Sequence, residues 1–217
     1  MSKFDAVRGS LAACLLGAGF LAGFASTVGA ETGHAAPAEA TSSVDPAVCG
    51  ACHGNDGNSV NPTWPNLAGQ NKSYLKNQLY NFKEGLRENA LMSAQAMSLT
   101  DADIEKLATY FATQKARVAS ISASEAAPGE ALYRGGDAAS GVPACSGCHG
   151  PNGAGNAAAG YPSLRGQQVD YTISTLKAYR DGSRQSHPKY ANMMNNVAGR
   201  MSDAQIEAVA RYVSALY

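Results

Sequence analysis

The stretch Cys49-Gly50-Ala51-Cys52-His53-Gly54 returns as Cys145-Ser146-Gly147-Cys148-His149-Gly150. The flanking residues return with it. Trp64 to Gln70 (WPNLAGQ) reappears as Tyr161 to Gln167 (YPSLRGQ), and at the same spacing Tyr74 pairs with Tyr171, Leu79 with Leu176, and Phe82 with Tyr179. FKEGLR, Phe82 to Arg87, matches YRDGSR, Tyr179 to Arg184, and LTDADI, Leu99 to Ile104, matches MSDAQI, Met201 to Ile206. Two small insertions in the second copy account for the drift in spacing. A correspondence covering nearly all of residues 45–114 and 141–217 is a tandem duplication.

Each copy ends in the same helix signal. Thr100 and Ser202 are N-cap candidates, with Asp103 and Gln205 three residues on. Ile104, Leu107, Ala108 and Phe111 follow in one copy, and Ile206, Val209, Ala210 and Val213 in the other, the spacing of a helix with one buried face. Tyr74 to Phe82 and Tyr171 to Tyr179 also read as helices, ending near Gly85 and Gly182. No alternating strand of five or more residues is visible, so an all-α fold is expected. The Ala/Ser-rich stretch around Ala116 to Pro128 reads as a connection, giving domains at 45–117 and 128–217 with a linker at 118–127.

The chain has 217 residues, 45% hydrophobic and 16% charged, with 17 basic and 17 acidic side chains. That balance removes the net-positive field expected of a nucleic-acid binder. Five Cys is an odd count for an exported protein, and the N-terminus accounts for it. Lys3 and Arg8 precede the apolar run Leu11 to Ser26, and Val28-Gly29-Ala30 fits a cleavage site, so residues 1–30 read as a signal peptide. Its removal takes Cys14 and leaves four Cys. An uncleaved anchor helix is the alternative, since Leu11 to Ala30 is about as long as a bilayer span. Residues 31–44 read as a mobile Ala/Thr/Ser-rich segment. Large apolar side chains are too few for two independent cores of this size, so something else must fill them.

Two Cys two residues apart, followed at once by His, admit three chemistries. In c-type haem attachment both thiols become thioethers and the imidazole becomes an axial iron ligand. A zinc site needs further ligands, and past the signal peptide the other His are His34 and His187, neither repeated. A dithiol redox centre needs a thioredoxin-like βαβ setting that is not visible. The pattern therefore predicts two haem c groups, held by Cys49 and Cys52 and by Cys145 and Cys148, with His53 and His149 as axial ligands. The opposite axial position is open to Met, His, Lys or water. Met92 and Met194 are the Met pair that superposes under the local spacing relating Leu99 to Met201, and they are the expected ligands. Met97, Met193 and Met201 read as core or loop fillers. A thioether raises the reduction potential relative to a second imidazole, and with both axial sites closed the iron passes electrons instead of activating a small molecule. The Pro65 and Pro162 carbonyls are placed to orient the imidazoles, and Arg87, Arg184, Lys83 and Arg180 are candidates to pair with haem propionates.

These residues resemble the class I c-type cytochromes, and the tandem arrangement resembles the dihaem cytochrome c4 family. CGACHG and CSGCHG, PNLAGQ and PSLRGQ, FKEGLR and YRDGSR, and the Met-x6-[Leu/Met]-[Thr/Ser]-Asp-Ala pattern carry the likeness. It implies two tandem cytochrome c domains, each wrapped around one covalently attached haem. It also implies a periplasmic electron carrier, free or peripheral on the inner membrane, passing electrons from a quinol-oxidising complex to a terminal oxidase without enzymatic activity of its own. The alternative is an electron-transfer subunit of a periplasmic dehydrogenase; a dihaem peroxidase would need one open haem, against the matched Met pair. One departure stands out. Gly129 to Tyr133 (GEALY) resembles the family's N-terminal helix, whereas Ala38 to Pro46 offers no such Gly and aromatic, so the first domain's leading helix is expected to be short or missing.

Overall fold

The computed structural model describes residues 42–185 and 192–217. The expected signal peptide, most of the segment 31–44, and His34 and His187 fall outside the described residues. Both repeats lie within one compact body, Glu39–Tyr217.

The first repeat contains α1 (Ala47–His53), α2 (Lys72–Lys83), α3 (Ala90–Met97) and α4 (Asp101–Ala112). The second contains α5 (Ala123–Gly135), α6 (Ser146–His149), α7 (Val169–Asp181), α8 (Met193–Ala198) and α9 (Asp203–Ser214). No strand occurs among the described residues, only two isolated bridges, Asp137 with Val142 and Asn156 with Tyr161. The architecture is all-α, as the periodicity requires.

Capping decides where the helices begin. Asp103 N and Gln205 N donate to the hydroxyls of Thr100 and Ser202, while the Asp103 and Gln205 side chains accept from the Thr100 and Ser202 backbone N–H, so α4 and α9 both start in full capping boxes. A third box lies within the stretch expected as linker, 118–127. Ser122 and Glu125 cap one another, so α5 begins at Ala123 and runs through Pro128. The residues before it are tied down, with Arg117 N donating to Asn58 Oδ1 at 2.8 Å and Ala119 N to Ser214 O at 2.8 Å.

The second core gathers Leu132, Tyr133, Val142, Met201, Ile206, Val209, Tyr212, Val213 and Leu216. It rests on α5 crossing α9. A Cβ at Gly129 would lie 2.2 Å from Ala208 O, so only glycine permits that approach. One turn later Tyr133 sits with its ring centroid 5.4 Å from that of Tyr212, and its hydroxyl donates to Gly150 O at 2.6 Å. The first core is smaller, built on Leu75, Leu107, Ala108 and Phe111. Ahead of α1, residues 42–44 run along α4: Ser42 Oγ donates to Asp103 Oδ1 at 2.8 Å, and Val44 packs on the core.

The two repeats meet through reciprocal contacts. Gln70 Nε2 donates to Ser163 O and Gln70 Oε1 accepts from Ser163 N, both at 2.8 Å. The matched Gln167 does the same to Asn66, accepting from its N at 2.8 Å and donating to its O at 3.0 Å. Because Gln70 matches Gln167 and Asn66 matches Ser163, the contact has the self-complementary form of a two-fold interface, here within one chain.

Candidate haem sites

In both repeats the Cys pair and the His occupy a short helix. Cys49, Cys52 and His53 lie on α1, while Cys145 is the N-cap of α6 and Cys148 and His149 follow in it. Helical spacing puts the first Cys and the His one turn apart. All four thiols are free; Cys52 and Cys148 are exposed, and Cys49 and Cys145 half-buried. Burial, with the neighbouring Cys52 second, pushes the Cys49 thiol up, and burial pushes that of Cys145 up to about 11. A dithiol redox centre lowers the pKa of its attacking sulfur, so these thiols run the other way. No group of three or more His, Cys, Asp or Glu suited to a metal occurs among the described residues.

The imidazoles are fixed identically. His53 Nδ1 lies 2.9 Å from Pro65 O, and His149 Nδ1 lies 2.9 Å from Pro162 O. A carbonyl can only accept, so each Nδ1 carries the proton and each Nε2 keeps its lone pair for a metal. Burial pulls both His below their ordinary pKa, outweighing the Pro carbonyls that act the other way, so the neutral, ligating form prevails at neutral pH. The acceptors are presented by tight loops. Gly57 and Gly153 sit at φ of 75° and 67°, and their carbonyls accept from Leu67 N and Leu164 N, each at 2.7 Å.

Met92 and Met194 lie in the first turns of α3 and α8 and are half-buried. The other methionines differ from each other: Met97 is 70% exposed, Met193 36%, and Met201 only 5%, inside the second core. Ala96 and Ala198, matched by the spacing that relates Met92 to Met194, are both fully buried and seat their helices alike.

The basic residues divide into two pairs. Lys83 Nζ donates to Leu99 O, and the matched Arg180 donates to Met201 O at 3.2 Å while pairing with Asp203 at 2.7 Å. Both tie the end of one helix to the start of the last. Arg87 and Arg184 instead point into the contact between repeats. Sequence reasoning missed this contact and the role of Gln70 and Gln167 in it, although the recurrence of Gln at the end of WPNLAGQ and YPSLRGQ was the available signal.

Two oriented imidazoles, each with a pair of free thiols at the spacing of haem attachment, define a tandem protein whose donor sets fit haem c in each half. The cytochrome c family model matches residues 39–115 and 126–216. Cytochrome c4 of Pseudomonas aeruginosa is 42% identical over 184 residues, covering 85% of this chain and 91% of that protein. A thiosulfate dehydrogenase electron acceptor of Thiomonas intermedia is 41% identical over 220 residues, covering 99% and 94%. The crystal structure of reduced cytochrome c4 from Pseudomonas stutzeri superposes with a TM-score of 0.75 at 42% identity, covering 79% of this chain and 94% of that one. The chain belongs to the cytochrome c family, within its dihaem cytochrome c4 group. It carries two haem c groups and is an electron carrier with redox proteins as partners.

Proposed function

We propose that Cys49, Cys52 and His53, with Met92, would hold one haem and Cys145, Cys148 and His149, with Met194, the other. Pro65 and Pro162 act behind the imidazoles, holding the proton on Nδ1 and so aiming Nε2. Bound haem c supplies a one-electron ferric/ferrous couple. The chain's own residues would set its environment: thioether ligation by Met92 and Met194 would favour the ferrous state and leave no position for oxygen or peroxide, which suits a carrier. The observation that carries this reading is the His Nδ1 to Pro carbonyl contact at 2.9 Å, repeated in both halves.

The domains are 45–117 and 128–217 by duplication, after a signal peptide at 1–30, and the mature protein works in the periplasm, free or peripheral on the inner membrane. No helix among the described residues is long and apolar enough to cross a membrane. The carrier takes electrons from a quinol-oxidising complex and gives them to a terminal oxidase. Residues 31–123 hold seven basic and nine acidic side chains, and residues 124–217 eight and seven, a mild dipole suited to weak, salt-sensitive docking. A second reading, acceptor for a periplasmic dehydrogenase, is favoured by the likeness to the Thiomonas intermedia protein over nearly the whole chain. Stopped-flow reduction of the purified protein separates them. Rapid reduction by the quinol-oxidising complex, with thiosulfate dehydrogenase inert, supports the first; the reverse supports the second. Salt-independent nanomolar binding to an oxidase would count against a transient carrier.

A further inference from the structure

The two peptide units that face the imidazoles each have a second partner. In the peptide joining Pro65 to Asn66, the carbonyl oxygen lies 2.9 Å from His53 Nδ1, and the N–H of the same unit, Asn66 N, donates to Gln167 Oε1 at 2.8 Å. The peptide joining Pro162 to Ser163 repeats the arrangement: its oxygen lies 2.9 Å from His149 Nδ1, and Ser163 N donates to Gln70 Oε1 at 2.8 Å. Both glutamines come from the opposite repeat. One planar amide therefore has an imidazole at its oxygen end and a side chain of the other repeat at its hydrogen end.

The glutamine amides are held from several sides. Gln70 Oε1 also accepts from Asn71 N at 2.8 Å, and Gln167 Oε1 from Gln168 N at 2.9 Å, which ties each amide to the N-cap residue of α2 or α7 in its own repeat. Their Nε2 groups donate back across the contact, to Ser163 O at 2.8 Å and to Asn66 O at 3.0 Å. Gln70 and Ser163 are buried, whereas Gln167 and Asn66 are half-buried. Resonance couples the two ends of a peptide unit, so an acceptor at the N–H raises electron density on the carbonyl oxygen. Hydrogen bonds in such a chain polarise one another, most strongly away from water. A carbonyl strengthened in this way draws harder on the Nδ1 proton and makes the imidazole a better donor through Nε2.

We propose that Gln167 is a positioning residue for His53 and Gln70 one for His149, each acting through a single peptide unit to aim and strengthen the axial imidazole of the opposite domain. The proposal rests on the reading of both histidines as haem ligands. A more strongly donating imidazole favours ferric iron, so loss of a glutamine acceptor raises the potential of the haem in the opposite domain and leaves that of its own domain in place. The effect is larger for Gln70, whose chain of hydrogen bonds is the more buried. A residue that merely joined the repeats would alter stability without this crossed pattern.

The test follows the Nδ1 protons of His53 and His149 by NMR in the isotope-labelled, reduced holoprotein, together with a potentiometric titration and a haem count. In Gln70→Met the His149 proton should move upfield and one potential rise, with His53 unmoved; in Gln167→Met the His53 proton and the other potential should respond instead. Gln70→Glu keeps an acceptor oxygen for Ser163 N, so it should return the His149 proton to its wild-type position or beyond. Ser73→Ala removes a different bond between the repeats, from Ser73 Oγ to Ala157 O at 3.0 Å, and should leave both protons in place. A His149 proton that stays put in Gln70→Met, or movement of both histidines in either Met variant, overturns the proposal. If Gln70→Met fails to load haem, the half-buried Gln167 decides through Gln167→Met and the His53 proton. A wild-type count below two haems removes the ligand reading and the proposal with it, while two haems with uncrossed responses remove only the role of the glutamines.

Discussion

Met92 and Met194 owe their assignment to a single relation, the spacing that also aligns Leu99 with Met201. Replacing either by Ala should convert one of the two haems to a high-spin form that binds added ligands, with loss of its Met-to-iron near-infrared band. Met97→Ala, at a side chain 70% exposed, should leave the spectrum of the holoprotein unchanged. An altered band in Met97→Ala, or intact bands in both ligand variants, would sink the axial assignment. Asp103 supplies a pH-dependent prediction. Hydrogen bonds from the Thr100 side chain and backbone, from Ser42 and from the Val44 backbone hold its carboxyl well below the usual carboxylate range. A depressed folded-state pKa means that the stabilisation is present above the unfolded value of about 4 and is lost as pH falls toward the folded value. Asp103→Asn should therefore lower Tm at pH 7 and have progressively less effect below pH ~4, as followed by circular dichroism.

At the scale of elements, the packing of the second domain turns on α5. Its crossing with α9 depends on a glycine whose Cβ would meet the Ala208 carbonyl oxygen at 2.2 Å. That contact is with backbone and cannot yield by side-chain rotation. Gly129→Ala should destabilise the second domain by about 1–3 kcal/mol in denaturant unfolding, the usual range for overpacking. An unchanged midpoint would mean that α5 slides on α9 without loss. The helix starts at Thr100 and Ser202 were legible, because a hydroxyl and an acceptor three residues on satisfy the same orphan N–H groups in any context. The start at Ser122 uses identical chemistry but was hidden by the Ala/Ser-rich composition around it and by Pro128. Ser42 and Val44, just ahead of α1, bond to Asp103 through a contact distant in sequence that no local pattern announces.

In the molecule as a whole, Gln70 and Gln167 join the two repeats by matched pairs of hydrogen bonds. Gln70 is buried, so Gln70→Ala leaves the Ser163 N–H and carbonyl without partners and should cost about 1–3 kcal/mol. The double variant with Gln167→Ala should split thermal unfolding into two calorimetric transitions; one sharp transition would show that other contacts carry the coupling. The duplication, the all-α class, the thiol and imidazole donors and their number were determined by the sequence alone, because each rests on residue type at short spacing, where chain geometry leaves little freedom. Only the tertiary structure decided that Lys83 and Arg180 bind helix ends and that Arg87 and Arg184 cross to the opposite repeat. Those partners lie far apart along the chain, and which of several equivalent cations meets which acceptor is settled by how the two repeats pack, a property that no local spacing encodes.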